Sequence, residues 1–256
     1  MTRISHTLLL ALLFAAGANA HAATVVPLND TGQSLCYDST GTGVSCTTVA
    51  DDGSYGRDAA NTAGMLPKTG AGSTGFDFSK IANDGTTLAA DAALGSNPTD
   101  WACTQDNVTG LTWEVKTTSG LRSNAHTYSW YSTDAASNGG NAGSSNAGSC
   151  VGSGINCDTQ SFVAAVNTAA LCGYSDWRVP SLRELKSLVD FSVPATGSAP
   201  TIDATYFPNT QIDWFWTANN ASFLATTAWI VAFDASYSNI SFKYLGRYVR
   251  LVRGIQ

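Results

Sequence analysis

Charge is scarce in this chain. Only 12% of its 256 residues are Asp, Glu, Lys or Arg, and together they leave a formal net charge of −6. Thirteen basic residues against nineteen acidic ones do not make the positive footprint that grips a phosphate backbone, so nucleic acid is excluded as a partner. Histidine is rarer still: of three in the chain, only His126 lies beyond residue 21. A Ser-His-Asp hydrolase would have to use it, yet the surrounding AHTYSWY has no G-x-S-x-G elbow. No C-x2-C pair exists, which removes the usual zinc spacing. After the first twenty residues no stretch stays apolar long enough to span a bilayer; the nearest, ASFLATTAWIVAF from Ala221, is interrupted by Ser and Thr. With these elements missing, no catalytic activity is expected.

What is present begins with MTRISHTLLLALLFAAGANA: a basic Arg3, an apolar run from Leu8 to Ala16, and small residues at Ala18 and Ala20. This pattern predicts a signal peptide over residues 1–20 and an exported product, periplasmic, cell-surface or secreted. The residue after the expected cut is His21 rather than Cys, so no lipid anchor is expected there. All six cysteines lie beyond that leader, and an even number in an oxidising compartment reads as disulfides. Cys36 with Cys46 and Cys150 with Cys157 would close short loops, which leaves Cys103 for Cys172.

Composition divides the rest. Residues 21–99 are rich in turn formers (NDTGQ, DSTGTG, DDGSYG, TGAGSTG) and read as an irregular subdomain with a few short strands, lying against the second part of the chain. Residues 100–256 form the main domain. In TGLTWEV, Leu111, Trp113 and Val115 alternate with Thr112, Glu114 and Lys116, the pattern of a half-buried strand. The Gly/Ser/Asn-rich segment from Ser137 reads as a surface loop ending at Cys150. Two helices come next. SFVAAVNTAAL carries Phe162, Ala165, Val166 and Ala169 at helical spacing, with Asp158 or Thr159 as cap and Gly173 past its end. SLRELKSLVD opens with Ser181 and Glu184 in capping-box spacing and buries Leu182, Leu185, Leu188 and Val189. DWFWTA, AWIVAF, ISFKYL and YVRLVRG then read as short strands; Trp229, Val231 and Phe233 share a face, and Arg250 points outward, across from Glu114. A strand, two helices and several antiparallel strands make an α+β order.

The ordered set DNVTGLTWEVKT, LCGYSDWRVPSLREL, PTIDATYFPNT, FWTANN and YVRLVRG closely resembles the bacterial domain family typified by the C-terminal domain of the Legionella collagen-like adhesin, over about Trp101 to Gly254. The resemblance implies a C-type lectin-like fold, with paired first and last strands and two helices flanking a short-stranded antiparallel sheet. It also implies an adhesin-like role at the cell surface, and homo-oligomerisation. Collagen-like repeats and bulk positive charge are absent here, so neither a trimer nor a sulfated ligand is carried over. Within such a fold Trp113 and Trp177 are structural, Asp176 and Arg178 pair across the Trp177 ring, and Cys172 ties that corner to Cys103.

The recognition surface is expected in the C-terminal loops, where Asn219, Asn220, Ser222, Phe223, Asp234, Tyr237, Asn239, Tyr244 and Arg247 combine rings that stack with amides that hydrogen-bond. The expected partner is an extracellular polysaccharide or protein ligand. Three readings stay open beside this one: a structural envelope or appendage component, a receptor-binding protein diversified by a retroelement, and an oxidase of the formylglycine-generating type, which would need reactive thiols. No cofactor is expected. Asp51, Asp52 and Asp58 in DDGSYGRD are candidate calcium ligands, but they lack EF-hand register, and a solvated turn explains them equally well.

Overall fold

A computed structural model describes residues 29–254, apart from 34, 41, 45 and 47–51. The expected leader over 1–20 lies outside the described residues. Among those described there are three antiparallel sheets and three α-helices, where one sheet and two helices were expected. The class is α+β. The first sheet is a hairpin of β1 (Cys36–Tyr37) and β2 (Gly43–Val44), closed by the Cys36–Cys46 disulfide. The unexpected helix is α1 (Gly56–Thr62), sequence GRDAANT. Its only buried residue is Asp58, so it has no apolar stripe for a periodicity argument to find.

The central sheet has five strands in the order β10-β6-β5-β3-β4: β3 is Phe78–Ala82, β4 Thr87–Leu88, β5 Trp101–Asp106, β6 Thr112–Glu114 and β10 Val252–Arg253. β3 and β4 come from before residue 99; β4 pairs with β3, and β3 pairs directly with β5, with Ile81 opposite Cys103, so one sheet runs across that position. The tail of the chain closes the other side: Val252 lies opposite Trp113 and Arg253 opposite Thr112.

Between these strands come α2 (Thr159–Thr168) and α3 (Leu182–Lys186), and then a three-stranded sheet, β7 (Trp214–Asn220), β8 (Thr227–Ala232) and β9 (Ser238–Phe242). Asp158 is the cap of α2, accepting from the Ser161 amide at 2.8 Å. Phe162 and Val166 face the core, whereas Ala169 is exposed. The capping box of α3 is complete: Ser181 Oγ accepts from the Glu184 amide, and Glu184 Oε2 accepts from the Ser181 amide. α3 stops at Lys186, but hydrogen-bonded turns continue to Val189, and Leu188 and Val189 are buried as the spacing predicts.

All three disulfides join the expected cysteines. Cys103 and Cys172, 69 residues apart in sequence, bind β5 to the bend after α2 with their Cα atoms 6.5 Å apart.

Two apolar clusters flank the strands. One contains Tyr128, Phe162, Trp177, Trp216, Ile230 and Leu251; the other contains Phe78, Trp113, Phe207, Phe215, Val231 and Val252. Neighbouring residues such as Phe215 and Trp216, or Ile230 and Val231, therefore enter different cores. This two-sided burial corrects three sequence expectations. Glu114 and Lys116 do not face solvent but are buried together, Lys116 Nζ donating to Glu114 Oε1 at 2.8 Å. Arg250 does not point outward: it is buried, donating to the Glu114 carbonyl at 2.6 Å and to Thr210 Oγ1 at 2.7 Å. Trp229 is half-exposed instead of sharing the buried face of Val231 and Phe233. Burial pushes Lys116 down to about 8 against the pull of Glu114, and pushes Arg250 down to about 10.

Asp176 and Arg178 do not pair across Trp177. They flank it on an extended stretch whose Arg178 exchanges backbone hydrogen bonds with Val252, extending the sheet beyond β10. Each then takes a partner from a different element. Asp176 accepts from Arg253 at 2.7 and 3.1 Å, and Arg178 reaches both carboxylate oxygens of Glu184. The capping box has already fixed Glu184 within reach of Arg178. Trp177 itself is buried, as expected, with its indole N–H on the Leu171 carbonyl at 3.0 Å.

Candidate binding site

The C-terminal candidates fall into two groups. Where β7 turns into β8, Asn219, Asn220, Ser222 and Phe223 lie together; Thr227 is opposite Phe242, which brings Phe242 and Tyr244 to the same end. The Phe242 and Tyr244 rings stack, with centroids 5.5 Å apart, and Phe223, Phe242 and Tyr244 are 71%, 44% and 56% exposed. Asp234 and Tyr237 belong to the turn at the opposite end of β8, where Val231 pairs with Ser238. β8 is about 17 Å long at ~3.4 Å per residue, so these two groups cannot meet over one small ligand. Asn239 is exposed on β9 between them. Arg247 braces the sheet, its guanidinium 4.6 Å above the Trp214 ring and Nε donating to Ser241 Oγ.

Two candidate amides brace neighbouring segments. Asn219 Oδ1 accepts from the Leu182 amide at 2.7 Å, and Asn220 Nδ2 donates to the Ser137 carbonyl at 2.6 Å. Ser137, which Asn220 holds, and Ala218, next to Asn219, line a groove of about 390 Å³ that sequence reasoning missed. Its lining comes from Trp130, Tyr131 and Ser137 before α2, Gln160 and Val163 within α2, and Arg178 and Ala218 beyond it. Hydrogen bonds lock the first two of these segments together: Tyr131 N donates to Thr159 Oγ1, which donates back to the Tyr131 carbonyl, while Thr133 N donates to Gln160 Oε1.

Behind the groove the glycine-rich loop is pinned rather than freely solvated. Lys243, 2% exposed, donates to the carbonyls of Asn138 and Asn141 at 2.8 and 2.7 Å, with its ammonium 4.1 Å above the Trp130 ring. Burial lowers its pKa to about 8. Gly143, at φ 83°, permits this approach, because a Cβ there would fall 2.1 Å from the Trp130 carbonyl. The one sequence signal was a lone lysine inside ISFKYL. Trp130, Tyr131 and Gln160 gave no signal, since their juxtaposition needs segments about thirty residues apart to meet.

The remaining chemistry-bearing groups lie elsewhere. His126 packs edge-on against Tyr128, its Nδ1 3.4 Å from the tyrosine hydroxyl. All six cysteines are in disulfides. Of the calcium candidates, Asp51 and the Asp52 side chain lie outside the described residues; Asp58 is buried in α1. Among the described residues no three His, Cys, Asp or Glu side chains gather as a ligand set, and no helix is long and apolar enough to cross a membrane.

No curated protein and no solved structure matches the chain. A family model does, that of the Lcl C-terminal domain, and it matches residues 102–253, from β5 through the closing strand β10. That span takes in both helices of the expected pattern, the braced groove and the exposed aromatic end of the second sheet, and it covers well over half of the protein: the chain belongs to the Lcl C-terminal domain family.

Proposed function

We propose that the protein is a surface-associated, non-catalytic binding module of C-type lectin-like architecture that holds a polysaccharide in the groove between Tyr131 and Val163. The observation that carries this reading is a braced concavity lined in part by β7, whose sheet also presents the exposed, stacked rings of Phe242 and Tyr244. Its volume of about 390 Å³ falls within the usual range for ligand sites. Phe223, Phe242 and Tyr244 offer apolar ring faces at one end of the neighbouring sheet, suited to stacking on sugar rings at little entropic cost. Six cysteines held in disulfides leave no thiol for oxidase chemistry, which favours binding over catalysis. Family membership supports a surface-associated role, and the leader motif at residues 1–20 supports export.

The test is a glycan array run with the wild-type chain, a Val163→Trp variant that fills the groove and a Tyr244→Ala variant that removes an exposed ring. Wild type is expected to bind, Val163→Trp to lose binding, and Tyr244→Ala to weaken it several-fold. A blank array at high protein concentration, or undiminished binding by Val163→Trp, overturns the reading. Binding to immobilised host-surface proteins instead would move the ligand class from polysaccharide to protein.

A further inference from the structure

α1 is a seven-residue helix whose only buried side chain is a carboxylate. A helix this short does not hold itself, and burying a carboxylate opposes folding unless something neutralises it. Asp58 is 1% exposed; its Oδ1 accepts from the Gly75 amide at 2.8 Å, while its buried Oδ2 has no hydrogen-bond donor from the protein. Asp30, itself half-buried, neighbours it. Its Oδ1 accepts from the Thr31 amide, and its buried Oδ2 has no donor. A third buried oxygen beside them, Thr74 Oγ1, is also without a partner.

Basic groups are close, but none donates to these carboxylates, and Arg57 NH2 is itself buried without a hydrogen-bond partner. Arg57 Nε donates to the Gly75 carbonyl, and its NH2 lies 4.0 Å from Asp77. Lys68 donates to the carbonyls of Gly72 and Thr74. Neither reaches the unpartnered oxygens.

We propose that Asp30, Asp58 and the Thr74 hydroxyl form a binding site for a hard divalent cation of the calcium class. Oxygen-only donors disfavour the softer transition metals, and a mixture of two carboxylates with a neutral hydroxyl suits the irregular shell of calcium better than the strict octahedron of magnesium. Like-charged carboxylates at close range raise each other's proton affinity. With Asp58 fully buried, the repulsion between the two carboxylates is poorly screened, and a bound cation neutralises it. The site joins three segments. Asp30 follows Asn29, whose amide donates to Asp106 at 2.8 Å, and precedes Thr31, whose carbonyl accepts from the Phe191 amide; Asp58 carries α1, and Thr74 begins the approach to β3. A bound cation would therefore fasten α1 and the N-terminal segment to the domain without apolar contacts.

The full chain, stripped with a chelator and titrated with calcium chloride or magnesium chloride at constant ionic strength and neutral pH, tests this by calorimetry and thermal denaturation. One calcium per chain is expected, with Kd of about 10⁻⁴ to 10⁻³ M, a saturable rise in Tm and a weaker magnesium response. Asp58→Asn and Asp30→Asn are each expected to weaken calcium binding at least about tenfold with an unchanged circular dichroism spectrum, and Thr74→Val to weaken it less. Having both Asn variants keeps the test open should one fail to fold. No calcium response in the wild type overturns the proposal, and a higher calcium-free Tm in Asp58→Asn would then identify a carboxyl pair sharing a proton. Undiminished calcium binding by both Asn variants also overturns it.

Discussion

Lys243 stands with its ammonium 4.1 Å above the Trp130 ring and holds the loop from Asn138 to Asn141 by two carbonyl hydrogen bonds. No carboxylate pairs with it among the described residues. Replacing it with Met keeps the stem and removes the donors, leaving two carbonyls to find water. We expect Lys243→Met to destabilise the protein by about 1–3 kcal/mol and to accelerate amide exchange in residues 138–143 selectively. Uniform exchange across the chain would show that the loop is not pinned by this residue.

Lysine burial also sets a pH dependence. Lys243 and Lys116 both lose their protons near about 8 in the folded chain, whereas an unfolded lysine holds its proton to about 10.4. Between those values the unfolded state binds more protons, so the lysine contribution to stability rises with pH. Urea melts at pH 7.5, 8.5 and 9.5 should show this rise in wild type and a smaller one in Lys243→Met. Equal slopes in the two proteins would contradict it.

Among the described residues Glu114 is the only carboxylate paired with Lys116, and it also receives the Leu251 amide at 2.9 Å. Glu114→Gln leaves Lys116 buried without a counter-charge, beside the buried Arg250. A loss of about 3–5 kcal/mol is expected in chemical denaturation, the cost of breaking one side of a buried pair.

The two ion pairs flanking Trp177 should respond unequally. Asp176 is mostly exposed, so Asp176→Asn should cost less than about 1 kcal/mol. Glu184 is 1% exposed, and Arg178→Ala strands its carboxylate, so about 2–5 kcal/mol is expected. Burial raises the Glu184 pKa, but hydrogen bonds from Arg178 and Ser181 outweigh it and leave the group below its ordinary value. Its stabilisation is therefore complete above the unfolded pKa of about 4.3 and is lost as pH falls through the lower folded value. Acid titration of wild type against Arg178→Ala should show the wild-type advantage shrinking below about pH 4.

Removing disulfides should reveal their different loop lengths. On loop-closure entropy alone, the 69-residue Cys103–Cys172 bridge contributes about 4 kcal/mol and the seven-residue Cys150–Cys157 bridge about 2 kcal/mol. Paired Cys→Ala variants measured in guanidinium should keep that order. A larger loss from the short bridge would mean that it supports the segment before α2 through contacts instead.

Several features were legible in the chain because their causes are local or arithmetical. The Ser181–Glu184 capping box needs only residues three apart. The disulfide pairing came from two short loops and one remainder. The closing strand announced itself through Val249 and Leu251, both buried, and its pairing beside Trp113 came from the family resemblance. The candidate site was less legible: Phe223 and Tyr244 are exposed, but the groove is lined by Trp130, Gln160 and Ala218, which only folding brings together.

Local order in this protein was thus determined by the sequence alone where a capping hydrogen bond or a short loop closure acts within a few residues. The fate of its charges was decided by tertiary structure. Glu114, Lys116 and Arg250 look like solvent-facing strand residues until both faces of the sheet are covered, and Arg178 turns from Asp176 to Glu184 because α3 presents the better enclosed partner. A charge takes its meaning from what the rest of the chain places over it, and that covering comes from segments a hundred residues away.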